Sequence, residues 1–406
     1  MIESPPLVRG RSAGKLILPS LIASTFASNF PALLVGLLLV DIGHTFGYPV
    51  GITAQIRTLA MSLGTIFALF MGVLSVRFNH KSLLLTGLLL KSISALGCGF
   101  APIFAIMLVS YSMQGIGAAM TSPMSYALVG EHFPREKRGG AIGWIVAAGA
   151  LAYVIGPPVI DVISGFGGWR LAYLGFILPV ILLSLLMAFK GLPSTRRSSQ
   201  SAVSVTDYLA GFKGVLSNKS ANACLVGSAL SGAAWMAILI YAPSFLRQRF
   251  LMPTGLVSIV VVVAALCYTC GSLASGRFAK RLGRKSLTVL AALGASIFAI
   301  LYTNLPDQWL SVGVMFLGCL FAGMRLSAST DLTLEQVPAF RGTMMSINHA
   351  TVALADALGS GIGGLALLQL GYGAMAISLG AMGIAAAIVF HLLAIDPTKT
   401  KMQTHS

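Results

Sequence analysis

Runs of about 20 apolar residues alternate with short charged or glycine-rich breaks along the whole chain, and about 20 is the length a helix needs to cross a bilayer. Twelve such runs can be read, at residues 16–40, 51–75, 82–99, 103–129, 141–163, 170–189, 221–245, 255–278, 286–304, 309–334, 342–369 and 373–394. The breaks themselves repeat. Gly72-Val-Leu-Ser-Val-Arg77-Phe-Asn-His-Lys81 returns as Gly276-Arg-Phe-Ala-Lys-Arg281-Leu-Gly-Arg-Lys285, and Glu131-His-Phe-Pro134 returns as Glu335-Gln-Val-Pro338, both at an offset of 204. A repeat this long is a several-helix membrane unit rather than a short solenoid repeat. The pattern predicts an all-α integral membrane protein with twelve transmembrane helices in two pseudo-symmetric six-helix bundles, residues 1–190 and 221–406, joined by a cytoplasmic linker over 191–220.

Composition agrees, with 56% hydrophobic and 9% charged residues, against roughly 25% charged in a soluble domain. The net charge of +16 would ordinarily raise a nucleic-acid partner, but 21 of the 27 basic residues fall in the two tails and every second loop. That is the positive-inside bias that sets topology. Nucleic acid is excluded as a partner, and lipid surrounds the chain. Both termini are expected in the cytoplasm and the protein in the plasma membrane. The first run is too long for a signal-peptide core and lacks a small-residue cleavage site, so it reads as a retained span. Of the five cysteines, Cys267 and Cys270 spell C-x-x-C, but no neighbouring His, Cys or acid completes a metal site. No metal or other cofactor is expected.

Charged residues inside apolar runs mark pathways or partners. His349 and Asp356 lie seven residues apart in the eleventh run, nearly in line on one helical face and about 10 Å apart along the axis. Arg325 in the tenth run lies at a compatible depth, so an Arg325–Asp356 ion pair is expected in one state, with Asp356 free to take a proton when the pair opens. A permanent structural pair is the plainer alternative. Asp331, near the cytoplasmic mouth, suits a helix-end or gate contact. Asp41 and Arg57 could pair as an outer gate, or stand as a solvated Asp and a snorkelling Arg. Lys91 in the third run is expected to snorkel or pack. Asn29, Tyr111, Trp235, Arg325 and Asn348 are the candidates to line a largely apolar central cavity suited to amphipathic substrates. The many intramembrane glycines allow close helix packing or a sliding face between bundles.

Several segments resemble the major facilitator superfamily, and within it the twelve-span drug/proton antiporter type of drug and sugar efflux carriers. The repeated decapeptides resemble its cytoplasmic signature G-x-L-A-D-R-x-G-R-K, retaining Gly72, Arg77 and Lys81 in one copy and Gly276, Arg281 and Lys285 in the other. The acid of that signature is Val76 and Lys280 here, so the inward-side lock it helps form must be built differently. Ala152-Tyr-Val-Ile-Gly156-Pro157-Pro158 resembles the antiporter motif G-x-x-x-G-P-x-x-G-G in its Gly156–Pro157 core, where proline removes a hydrogen bond and bends the span. Gln114-Gly115-Ile-Gly117-Ala-Ala resembles R-x-x-Q-G-x-G-A-A, with Tyr111 at the Arg that takes part in proton coupling among relatives. Gly168-Trp169-Arg170 resembles the start of the family's sixth helix, with Trp169 as an interfacial anchor.

The resemblance implies a monomeric secondary transporter working by alternating access, exporting a small organic molecule in exchange for protons. Import or uniport is the alternative, since both antiporter signatures are degraded. No G-x-x-x-x-G-K-[ST] is present, so the chain itself is not expected to hydrolyse ATP. No H-E-x-x-H or G-x-S-x-G is present either, and the six histidines are scattered, which argues against an enzyme. A nontransporting sensor on the same fold is the third class.

Overall fold

The computed structural model describes residues 16–193, 212–337 and 341–396. Most of the predicted linker and both charged tails lie outside the described residues. Ten helices among them are long and apolar enough to cross a membrane, and two of these are double. One breaks at Gly167 and Gly168, the other at Gly371. Gly168 and Gly371 have φ of 71° and 80°, left-handed values at which a Cβ would be strained. They are equivalent turns, each between the fifth and sixth spans of its half.

The twelve spans are therefore α1 (Ile17–Leu37), α2 (Gln55–Arg77), α3 (His80–Phe100), α4 (Phe104–His132), α5 (135–166), α6 (169–191), α7 (Lys219–Arg249), α8 (Thr254–Leu282), α9 (Arg284–Asn304), α10 (Gln308–Gln336), α11 (341–370) and α12 (372–393). A short helix, Leu39–Phe46, continues α1, and a turn at Val50–Thr53 leads into α2. Several helices outrun the predicted spans. α8, for example, continues through Lys280 and Arg281, since a helix can carry charge once it leaves the hydrocarbon. Helix starts follow local chemistry: the side chains of Asn218 and Asp307 accept backbone N–H groups at the first turns of α7 and α10. α5 runs through Pro157 and Pro158 and leaves helical geometry only at Gly167 and Gly168, so its break is set by the glycines.

Each bundle packs on glycine. A Cβ at Gly64 of α2 would lie 2.8 Å from the Gly115 carbonyl oxygen of α4, and one at Gly115 would overlap the Ala60 carbonyl. The equivalent helices α8 and α10 meet the same way, with Gly271 against Leu320 and Gly323 against Tyr268. In lipid, burial from water does not drive helices together, so close backbone approach supplies the attraction. Outward faces carry exposed Phe70, Val109, Leu183, Leu273 and Leu365, as lipid contact requires.

The bundles meet at two interfaces related by the internal repeat, α2 with α11 and α5 with α8. Helix ends alternate, so Arg77, Lys81, Arg138, Arg281 and Lys285 gather at one face of the protein, the basic end. Residues 41–57, 161–170, 247–255 and 364–371 form the opposite, far end.

Gly115→Val should lower stability by about 1–3 kcal/mol, because the Ala60 carbonyl belongs to a helix backbone and cannot yield. Gly313→Ala, with nothing within 4 Å of the new Cβ, should leave it unchanged. Thermal unfolding of the two variants in detergent measures the difference.

Candidate functional site

Among the described residues, two ion pairs join the bundles. Arg57 of α2 grips Asp356 of α11 with both ends of its fork, Nη2 to Oδ2 at 2.7 Å and Nε to Oδ1 at 3.3 Å. Each side chain is only 12% exposed, so the pair is largely withdrawn from water, where a bidentate guanidinium–carboxylate contact is strong and specific. Small residues make it possible: Gly361 sits against Thr58, and Gly364 against Gln55 and the Gly51 carbonyl. With no side chains between the backbones, the fork of Arg57 reaches across. Asp356 is about midway along α11, some 22 Å from its start at 1.5 Å per residue.

Nearer the far end, Arg247 of α7 pairs with Asp41 of the α1 extension, Nη2 lying 2.9 Å from Oδ1 and Nη1 donating to Oδ2. Both expected pairings are thereby corrected. Asp41 and Arg57 do not pair with each other; each finds a partner in the opposite bundle. Asp356 pairs with Arg57 instead of Arg325, because α11 faces α2 across the interface while Arg325 turns into its own bundle. Arg247 went unrecognised in the sequence, although a signal existed: the first helix of each half ends in a charge, and the two charges are opposite.

The Arg57–Asp356 pair has no mirror image. The offset of 204 carries Arg57 to Val261 and Asp356 to Ala152. Both equivalents are apolar, and the contact seen between α5 and α8 at the far end is Asp161 Oδ2 against Gly255. The ion pair therefore has no counterpart at the positions the repeat relates to it.

Around the pair lie tyrosines. Tyr111 of α4 and Tyr153 of α5 are within electrostatic range of both Arg57 and Asp356. Tyr268 of α8 is within range of Tyr153 and Arg325. Tyr111 is fully buried and its hydroxyl has no partner, whereas Tyr153 is 36% exposed. Tyr153 and Tyr268 were not singled out in the sequence; the position of Tyr153 one turn before Pro157 was the available hint. Asn29 bonds back to the Thr25 carbonyl and faces Gly149. Asn348 is buried with its Oδ1 unpartnered. The His349 side chain lies outside the described residues.

Other candidates fall elsewhere. Trp235 and Arg325, each 3% exposed, line a small cavity inside the carboxy-terminal bundle. Lys91 does not snorkel: it is 1% exposed, and its Nζ lies 3.5 Å from the Ser28 carbonyl inside the amino-terminal bundle. Trp169 is also internal, donating to Thr45 Oγ1 at 2.9 Å, with the Arg170 guanidinium over its ring. It clasps the far end of its bundle; it does not anchor to the lipid interface. Gly156 packs α5 onto Phe30 and Leu33 of α1. Asp331 is exposed near the basic end of α10.

At the basic end the repeated decapeptides act within their own bundles. Lys81 donates to the last carbonyls of α6, Phe189 at 2.9 Å and Leu192, where a cation meets the negative end of a helix. His80 lies 2.6 Å from Glu131, and Arg284 lies 3.7 Å from Glu335. Both members of both pairs are related by the same offset, which explains why the Glu-x-x-Pro segments repeat with the decapeptides. Arg77 and Arg281 are exposed; Gly276 has nothing within 4 Å, and Gly72 lies in the last turns of α2.

Two six-helix bundles meeting across a membrane, with an ion pair and tyrosines at their junction, define a secondary carrier. The chain belongs to the Major Facilitator Superfamily, whose profile matches residues 17–303 and 224–406. It is 25% identical to a probable 4-methylmuconolactone transporter of Cupriavidus pinatubonensis over 68% of this chain and 66% of that protein. It is 22% identical to the cis,cis-muconate transport protein of Acinetobacter baylyi over 86% and 87%. In fold it resembles a D-xylose–proton symporter (TM-score 0.76, 17% identity, 94% of this chain and 98% of that one). It also resembles a bacterial homologue of the lysosomal transporter Spinster (TM-score 0.72, 17% identity, 95% and 96%). The relatives named here are metabolite carriers; the drug-antiporter type is not supported.

Removing one partner of the buried pair should cost more than removing both. Asp356→Leu and Arg57→Met are each expected to lower stability by about 3 kcal/mol, and the double variant that combines them by under about 1 kcal/mol. A double-mutant cycle on thermal unfolding reads the coupling, and additive losses would contradict it.

Proposed function

We propose that this protein carries a small organic carboxylate together with a proton by alternating access, with Arg57 and Asp356 as the exchange pair. The observation that carries this reading is the bidentate contact between them, shared by the two bundles at about mid-membrane. A substrate carboxylate presents the same two oxygens to Arg57 that Asp356 does, so it competes for the fork. Once displaced, Asp356 stands beside a second carboxylate with no cation of its own, and like charges at close range favour protonation of one. Substrate anion and proton therefore load the same state. Losing the cross-bundle pair also loosens the α2–α11 interface, which frees the bundles to rock. When substrate and proton leave at the other side, the pair re-forms.

The sign of coupling follows from substrate charge. An anion that takes Arg57 promotes protonation of Asp356 and gives symport. A cation that takes Asp356 competes with the proton and gives the antiport implied by the Gly156–Pro157 element. Away from the span ends and outside the Arg325 cavity, Arg57 and Lys91 outnumber Asp356, which favours the anion, and the names of the muconate and muconolactone relatives agree with it. Tyr153 and Tyr268 supply flat faces and hydroxyls for an unsaturated or aromatic acid. The basic end lies in the cytoplasm by the positive-inside rule, so an inward proton gradient drives uptake.

In proteoliposomes with an acid exterior, cis,cis-muconate or nicotinate should accumulate, while xylose and cationic drugs should not. Asp356→Asn should keep exchange of labelled for unlabelled substrate yet lose pH-driven accumulation. Arg57→Lys, lacking the bidentate fork, should weaken substrate binding about tenfold, or about 1.4 kcal/mol. Unchanged pH-driven uptake by Asp356→Asn would sink the coupling scheme, and proton-driven efflux of cations would favour the antiport reading.

A further inference from the structure

Arg325 is a charge without a counter-charge. It is 3% exposed on α10, and no acid pairs with it among the described residues. A guanidinium cannot shed its proton to escape burial. Its Nη1 donates to Ser231 Oγ at 2.8 Å, but its Nε is buried with no partner. The indole Nε1 of Trp235, 3% exposed on α7, is likewise buried and unpartnered.

Both side chains line the same cavity, enclosed by α7, α9, α10 and α12, with alanine, Ile238 and Gly380 making most of the rest of its wall. Its free space is about 10 Å³, near the roughly 10–15 Å³ that admits one water-sized particle. The hydroxyls at its edge already use their protons elsewhere, Ser231 on the Gly227 carbonyl and Ser296 on the Ala292 carbonyl. The cavity is thus lined by one unbalanced positive charge, and two of its lining residues each keep an N–H without a partner.

The amino-terminal bundle shows the contrast. Ser28, one residue from the position that matches Ser231 in the first helix of its half, meets the buried Lys91, and there the surroundings are acceptors: the Ser28 carbonyl, and Gln114 with its Oε1 unpartnered. One bundle surrounds its cation with acceptors; the other leaves donors over. We infer that the cavity beside Arg325 and Trp235 binds one small monovalent anion of the halide class, which neutralises the core of the carboxy-terminal bundle. A water molecule would satisfy a donor but leave the charge, and a single-atom anion asks the walls to give less than carboxylate, sulfate or phosphate would. The site lies inside one bundle and is independent of the exchange pair proposed at the junction.

The test is thermal unfolding of the purified full chain at constant ionic strength, with chloride or bromide replacing gluconate stepwise. Ligand that binds only the folded state stabilises it in a saturating way. Chloride and bromide should each raise Tm by several degrees (about 1–3 kcal/mol by that linkage), sulfate should not, and bromide should give an anomalous scattering peak between Arg325 and Trp235. Arg325→Gln should abolish the halide dependence, and Trp235→Phe, which keeps the ring and loses the N–H, should raise the half-saturating chloride at least tenfold. Equal Tm in chloride and gluconate would show that water alone fills the cavity and overturn the inference, as would an unchanged chloride dependence in Arg325→Gln. Should Arg325→Gln fail to fold, the Trp235→Phe shift decides: no change in half-saturation counts against the site.

Discussion

A charge inside a bilayer has no water to turn to, so every intramembrane Arg, Lys and Asp here must be answered by another part of the protein. That constraint accounts for the strongest cross-bundle contact, Arg57 with Asp356, and for its companion Asp41 with Arg247. Both join chain segments that sequence alone would place far apart, and the second draws the far end together. Lys91 meets the same constraint inside one bundle by reaching a first-helix carbonyl, while Arg325 meets it only in part, through one bond to the Ser231 hydroxyl. The glycine contacts between helices serve it indirectly, because only close backbones let these side chains reach.

The internal duplication supplies a frame on which differences stand out. Glycine packing of α2 on α4 recurs at α8 on α10, and His80–Glu131 recurs as Arg284–Glu335. Each of these links stays within its own bundle. The bundles depart from symmetry where they touch: Arg57 and Asp356 face each other on one side, and their equivalents Val261 and Ala152 are apolar. A carrier needs one place where bundle contact depends on what is bound, and an ion pair on one side with no counterpart at the related positions on the other meets that need.

Much of the fold was legible in the chain. Hydropathy predicted the twelve spans, and the paired decapeptides related the halves. The polar stripe on α11 pointed correctly to Asp356 as a residue needing a partner. Its partner was misread because a depth estimate along one helix says nothing about rotation around it. Arg325 lies at a suitable depth but points into its own bundle, and Arg57 reaches in from the other. Trp169 likewise sits at the membrane end an anchor would choose, yet Thr45 lies within 2.9 Å and holds it inside.

By itself the sequence determined what lipid imposes residue by residue: which runs are apolar enough to span, where the charges that orient them fall, and that the two halves share one plan. The tertiary structure decided which charge meets which. That choice rests on helix rotation and on backbone approach across the bundle interface, where Gly361 and Gly364 remove the obstruction and bidentate geometry selects one pair. Spacing along a chain encodes periodicity within a helix, but a contact between positions about 300 residues apart follows from packing.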